Sequence, residues 1–393
     1  MKLKLKNTPE QVELVKAIGS NDFAVAREAQ EAFAAFVGPV VQEVLQQAGS
    51  ASAIYTDAVY DADDNPSFPL DLYYQETDTD YFSVWSQTMA GGLPASQDIS
   101  ALQELKIATY RLDSAMSYNK KYARRARLDV VSKVVERMAQ EILIKQERNA
   151  WAVIMKALAE ASTTVKYKLG KGLGASTASS NEDNNSHVIR CGDQSSFKLN
   201  DLSSLINRIK RINSSFAGGT AANVYSNGIT DLYVSPEVEA EIRAFATGPA
   251  RTDSSATNTN SQTISDNMRD EIYRNAGMAN IYGVNINVIN ELGTGQKYNA
   301  LFDTFAGSTS YTDIAGSNGT TFAGASDEVV VGLDLSKEAF IRPVAQQAES
   351  GGTFTTLPDD QFLARHEKVG FYGFLEEGRV CLDARAAAGI IVG

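Results

Sequence analysis

The sequence predicts an α+β fold, and three stretches carry that prediction. Residues Leu128–Thr163 read as one long helix, residues 51–127 as two extended β-rich runs, and residues 222–334 as alternating strands and helices. The helix rests on composition. No Gly or Pro occurs between Pro94 and Gly170, and LDVVSKVVERMAQEILIKQERNAWAVIMKALAEAST is dominated by residues that lose little rotamer freedom on coiling. Val131, Val135, Met138 and Ile142, then Trp151, Ile154 and Leu158, recur at helical spacing, with Lys145, Gln146 and Arg148 interrupting the stripe midway. Asp129 is placed to cap the start. At 1.5 Å per residue such a helix is about 50 Å long, more than one compact core needs, so it is expected to be a strut shared by several regions.

Ahead of it, residues 8–47 read as two amphipathic helices broken near Gly19 and Ser20, with Gly38-Pro39 kinking or ending the second. This leading segment has no core of its own and is expected to pack on neighbouring subunits or on the strut. Residues 51–127 then change to strand character. LDLYYQETDTDYFSVW alternates after the turn-rich DADDNPS, and ELKIATYRLDSAMSYNKKYARRAR returns, which together describe a projecting β-hairpin. Its charge is lopsided. No Lys or Arg lies between Arg27 and Lys106, whereas Asp61, Asp63, Asp64, Asp78 and Asp80 fall in that interval, and Lys120, Lys121, Arg124, Arg125 and Arg127 close the return arm. An acidic tip and a basic root on one chain can pair between neighbouring copies, or both can be solvated faces where single pairs contribute little.

Past the helix, residues 168–196 are rich in Gly, Ser and Asn, and Leu202, Leu205, Ile206 and Ile209 mark a short helix. Strand ITDLYV meets helix SPEVEAEIRAF, with Ser235 as N-cap and Pro236 at the first helical position. Strand YGVNINVIN follows, then EVVVGLDL, and strands joined through Glu376-Glu377-Gly378 lead to the apolar end of the chain.

Composition narrows the function. The 393 residues carry a net charge of -12, so the chain repels nucleic acid on average and lacks the basic footprint of a phosphate binder. That sign suits a surface facing packed DNA without gripping it. Cys191 and Cys381, the only cysteines, are too few for a disulfide framework or a zinc cage. GKGLG at residues 170–174 lacks the Walker spacing. DADDNPS fails as a calcium loop because Pro66 and Leu72 stand where Gly and a bidentate Glu are needed. Neither His187 nor His366 has a neighbour at metal-ligand spacing. The expectation is therefore no enzyme, no cofactor and no metal.

The order of elements resembles the major capsid protein of tailed bacteriophages with the HK97-type fold. LYVSPEVEAEIRAF (residues 232–245), IYGVNINVINELG (281–293), VVVGLDLSKEAFIRP (329–343) and RHEKVGFYGFLEEGRVCLDARAAAGIIV (365–392), with Asp383, Arg385 and Ala386 in a D-x-R-A stretch, carry the resemblance. It implies an N-terminal arm at 1–50, an extended hairpin called the E-loop at 51–127, and a peripheral domain at 128–221 that begins with the spine helix. An axial domain at 222–334 and peripheral return strands at 335–393 complete it. It further implies hexamers and pentamers closing an icosahedral head around double-stranded DNA without sequence-specific binding. Scaffolding, portal and cement proteins would be the partners, with no membrane, in a virion assembled in the host cytoplasm. The alternatives are an encapsulin-like compartment, another phage structural protein, or an enzyme. One family device does not carry over: the hairpin has no Lys before Lys106 to supply a tip isopeptide crosslink. No coiled-coil leader precedes the first helix, so a separate scaffolding protein is expected. The acidic residues of the hairpin would instead dock on basic residues of a neighbour, with residues 120–127 as candidates, or on a cement protein.

Overall fold

A computed structural model describes residues 8–47, 49–61, 65–69, 104–163, 187–191, 196–213, 228–245, 267, 270–272, 280–312, 319–346, 353–359, 367–382 and 386–393. In chain order the elements are α1 (Pro9–Ile18), α2 (Phe23–Gln47), α3 (Ala51–Ile54), β1 (Thr56–Asp61), β2 (Ser67–Pro69), β3 (Glu104–Lys106), β4 (Tyr110–Asn119), α4 (Lys120–Arg124) and α5 (Leu128–Thr163). There follow β5 (Val188–Arg190), α6 (Leu199–Asn213), β6 (Asp231–Val234), α7 (Pro236–Ala244), β7 (Asn280–Ile281), β8 (Val284–Val288), α8 (Lys297–Ala306), β9 (Ser310–Tyr311), β10 (Thr320–Thr321) and β11 (Glu328–Leu333). The chain ends with β12 (Phe340–Gln346), β13 (Phe354–Asp359), β14 (Lys368–Glu377), β15 (Val380–Cys381) and β16 (Ala387–Val392). The fold is α+β.

Two compact units share these elements. The first takes Met1–Phe68, Leu105–Trp151 and Phe340–Val380; the second takes Pro69–Glu104, Ala152–Ala339 and Cys381–Gly393. The long helix spans the residues its composition predicts. Its residues through Trp151 belong to the first unit and the remainder to the second.

In the first unit β14 lies between β13 and β4, both antiparallel, and β12 joins it at Val344↔Glu377. β1 then runs parallel to β12, from Thr56↔Ile341 to Asp61↔Gln346. Phe371 and Leu375 of β14 point inward with Leu112 and Met116 of β4. Phe33 and Val37 of α2 and Val131, Val135 and Met138 of α5 complete the core. The Phe33 and Phe371 ring centroids are 5.1 Å apart. The leading helices thus pack on the strut and on the sheet of their own chain. Helix α2 continues through Pro39, where the sequence suggested a kink or an end. An interior proline costs about 3 kcal/mol; burial of Phe33, Val37, Val41 and Leu45 along the same helix is large enough to offset it.

The span expected to form a hairpin, residues 51–127, divides. β1 and β4 pair with β12 and β14 rather than with each other. Pairing across the excursion is made by β2 and β3, extended by the Ile107 N–H donating to the Pro66 carbonyl at 3.1 Å. Most of the excursion, residues 70–103, lies outside the described residues, as do the GKGLG run and His366.

The second unit holds a sheet ordered β5-β16-β11-β6-β8-β7. β6 and β8 are parallel and joined through α7, a crossover that parallel strands require. Ser235 caps α7, its Oγ accepting from the Val238 N–H at 3.1 Å, with Pro236 behind it as expected. β7 and β8 form a tight hairpin whose two turn residues, Tyr282 and Gly283, both have positive φ (54° and 81°), the twist that suits a two-residue connection. The end of the chain departs from the expected return at 335–393. β12 to β14 lie in the first unit's sheet, whereas β16 inserts between β5 and β11 in the second, antiparallel from Glu328↔Val392 to Leu333↔Ala387. Every residue of β16 is buried. A Cβ at Gly389 would meet Leu158 Cδ2 at 3.1 Å and the Val330 carbonyl at 3.2 Å, so the close approach of α5 favours glycine there.

Candidate functional site

The polar break in the α5 stripe ties several elements of the first unit together. Gln146 is buried and donates from Nε2 to Glu377 Oε2 at 3.0 Å. Glu147 accepts from Ser50 Oγ (2.8 Å) and from the Ala51 N–H (2.9 Å), supplying the start of α3. Trp151 Nε1 donates to Ser50 Oγ at 2.9 Å, and Tyr55 Oη to the Ala150 carbonyl at 2.9 Å. Glu147 at the break, with Trp151 and the Ala150 carbonyl one turn on, therefore anchors the chain that enters the excursion.

The other half of the tie is the Glu376-Glu377 pair at the end of β14. Glu377 is fully buried, and its carboxylate accepts from Arg342 Nε at 2.8 Å, Tyr110 Oη at 2.9 Å and Arg379 Nη2 at 3.3 Å. Arg342 also reaches Asp57 at 3.3 Å, and the Arg379 guanidinium lies 4.7 Å from the Tyr55 ring centroid. Next to it Glu376 accepts from Thr109 Oγ1 at 2.8 Å and from Tyr60 Oη at 3.5 Å. Asp57 and Tyr60 stand on the outgoing strand, and Thr109 and Tyr110 on the incoming one. Two adjacent carboxylates so clamp both ends of the excursion. Burial first, and the Glu377 charge second, hold the Tyr110 phenol far above its usual range, so it remains a hydrogen-bond donor at all physiological pH. Tyr60 is raised by burial first, with the Thr109 hydrogen bond opposing and the Glu376 charge adding to the rise.

This arrangement can hold geometry but cannot turn over a substrate. The Glu377 carboxylate is inaccessible, charge-compensated and hydrogen-bonded, and Glu376 is taken up by Thr109 and Tyr60. Among the described residues no group of three or more His, Cys, Asp and Glu side chains is placed to hold a metal, and no helix is long and apolar enough to cross a membrane. His187 is buried, its Nδ1 2.9 Å from the Ala387 carbonyl, which is a structural hydrogen bond.

Of the residues singled out by charge, Asp61 is exposed at the end of β1, while Asp63, Asp64, Asp78 and Asp80 lie outside the described residues. The basic root resolves into two sorts. Arg124 donates from Nε to the Gly19 carbonyl at 3.0 Å and from Nη2 to Asn21, fastening α4 to the end of α1. Arg127 pairs with Asp129 at 3.2 Å, both exposed. Lys120, Lys121 and Arg125 have no carboxylate partner among the described residues, and Lys121 and Arg125 are exposed. Charge counting found the basic root but missed Glu377, Arg342 and Arg379. The only sequence signals for them were the polar break in α5 and the charged corner closing an apolar strand.

A second carboxylate site sits under α7. Glu328 is buried, its Oε2 accepting from Ser235 Oγ at 2.6 Å. Burial raises its pKa above 4.5, the Ser235 hydrogen bond opposes this, and the charges of Glu237 and Glu241 add to the rise. Glu241 is raised by burial too, against the Phe197 N–H that donates to it at 2.6 Å. The folded state thus holds protons more tightly than the unfolded state. The stability these groups contribute is complete below the unfolded value of 4.5 and is lost as pH rises through their folded pKa. Glu328→Gln should accordingly gain on the wild type as pH rises from about 4.5 to about 7.5, read as urea midpoints. A constant offset between the two proteins would contradict this.

No protein-family model and no curated protein sequence matches the chain. Solved structures are similar over most of its length at low identity. The capsid of the cyanophage P-SCSP1u is 14% identical, covering 86% of each chain with a TM-score of 0.49. The capsid of an empty GTA particle is 11% identical over 88% of this chain and 89% of its own, with a TM-score of 0.47. The SrpI encapsulin of Synechococcus elongatus PCC 7942 is 9% identical over 88% of each, with a TM-score of 0.40.

Proposed function

We propose that the protein is a shell-forming structural protein, the major capsid protein of a tailed-bacteriophage head, assembling as hexamers and pentamers around double-stranded DNA. The observation that carries this reading is the clamped root. A chain that ties both ends of a long excursion with two carboxylates, two arginines and two tyrosines has fixed the direction in which that excursion leaves. Such a fixed projection is what a head-to-tail contact between identical copies needs. The excursion, residues 62–109, is the E-loop of this reading, α5 the spine helix, the first unit the peripheral domain and the second unit most of the axial domain. The net charge of -12 fits a container that holds DNA without gripping it. Scaffolding, portal and cement proteins are the expected partners, and the virion the expected location.

Negative-stain microscopy of the purified protein with chromatography at two salt concentrations tests it. Closed shells, or rings that rearrange with salt, are expected, and nucleic acid inside them separates a head from a protein-filled compartment. A dimer that never assembles would overturn the reading. In it the acidic excursion of one copy docks on Lys120, Lys121 and Arg125 of the next. Lys121→Glu with Arg125→Glu, leaving the engaged Arg124 and Arg127 untouched, should give shells that fall apart at several-fold lower salt, because screening removes what is left of the attraction. Shells of unchanged salt resistance would remove these residues from the contact.

A further inference from the structure

Among the described residues β4 is an edge strand, and it borders a groove. Among the described residues its one strand partner is β14. Residues 114–117 and the first turns of α5 line a groove of about 750 Å³. Met116, Val130, Val134 and Met138 give it an apolar lining, while Lys133, Glu136, Arg137 and Glu141 balance one another in charge. A free strand edge beside a helix is the geometry that accepts a further strand, with main-chain hydrogen bonds giving affinity and alternating side chains giving fit.

The alternation of β4 dictates what fits. Leu112, Met116 and Tyr118 are buried, and Arg111, Asp113, Ala115 and Ser117 are exposed, so an added strand must be apolar on the inner side and polar on the outer. Residues 1–6, MKLKLK, lie outside the described residues and alternate strictly, with Leu3 and Leu5 on one face and Lys2, Lys4 and Lys6 on the other. The excursion's run LDLYYQETDTDYFSVW also alternates, but it breaks register at Tyr73-Tyr74 and would leave carboxylates rather than lysines on the new edge. Six residues of strand span about 20 Å, close to the roughly 17 Å of α5 between Val130 and Glu141. The lysines would leave the new edge charged, closing it to further addition.

We infer that residues 1–6 of a second copy add as a strand to the open edge of β4, in the groove against α5. The choice of a second copy rests on the shell-subunit reading, because each copy in a closed head-to-tail ring both gives and receives; the fit of the strand to the groove does not rest on it. Two measurements separate these claims. A labelled MKLKLKNT peptide is titrated, by fluorescence anisotropy, into the full chain carrying Leu3→Asp and Leu5→Asp, whose own segment no longer fits. Saturable binding is expected, weakened more than about tenfold by Leu3→Asp and Leu5→Asp in the peptide or by Val134→Asp in the receiving chain. Equal binding of a scrambled peptide of the same composition, or no binding, would overturn the strand addition whatever the protein assembles into. For the source, Leu3→Cys, which faces the groove, and Gln140→Cys are combined with Cys381→Ser and oxidised. A ladder of linked chains on a non-reducing gel supports the second copy. A bridge within one chain overturns that choice, as does the absence of any bridge in particles that form normally.

Discussion

Glu377→Ala should destabilise the first unit by about 3–5 kcal/mol, a large share of a typical total, because it strands the buried Arg379 without a counter-charge and leaves the buried Arg342 only the half-exposed Asp57. Arg342 and Arg379 are 7% and 3% exposed at their side chains, and both lean on this carboxylate. Tyr110 and Gln146 would lose their acceptor with it. Urea unfolding of unassembled protein reads the loss as a lower midpoint. Glu377→Gln, which keeps acceptors but removes the charge, should fall between the variant and the wild type. Combining Glu377→Leu with Arg342→Met should recover part of the loss, since removing both charges together avoids the uncompensated one. A Glu377→Ala protein as stable as the wild type would mean that the network contributes nothing to holding the excursion root.

Asp327→Ala should have a comparable effect in the second unit. Its carboxylate accepts from Arg190 Nη2, from the Ala323 N–H at 3.2 Å and from Ser326 Oγ at 3.1 Å. Arg190 is 6% exposed at its side chain and, among the described residues, its guanidinium otherwise donates only to the Thr321 carbonyl, at 2.8 Å. Removing the carboxylate leaves the guanidinium buried without a counter-charge, a change of about 3–5 kcal/mol. The effect should be felt locally first. β5 is the end strand of its sheet, held by β16 on one side, so limited proteolysis should find residues 187–191 before the unit unfolds globally. Unaltered protease resistance there would show that strand pairing alone holds β5.

How much of this was legible in the sequence depended on whether the signal was local. Helix α5 was readable to its ends because composition and spacing act within a few turns, and Ser235-Pro236 announced α7 for the same reason. The place of β16 was not readable. AAGIIV is apolar throughout, so it carries no alternation to say which face or which sheet it joins. The excursion was seen as a hairpin, but β1 and β4 could not be known to pair elsewhere, since their partners β12 and β14 lie more than 200 residues away. The clamp failed to show for a related reason: Arg342 and Glu377 meet across sheet register, which no spacing in sequence reports. Arg124 was counted with the free cations although it is bound to Gly19 and Asn21.

The central claim is that the clamped excursion of one copy reaches another copy in a closed shell. Electron cryomicroscopy of assembled particles tests it most directly. The account predicts residues 62–109 of each copy lying against a neighbouring copy, with Glu376 and Glu377 holding the root as they do within the single chain. Shells in which that excursion folds back onto its own chain, or a protein that forms no shell under any condition, would contradict it.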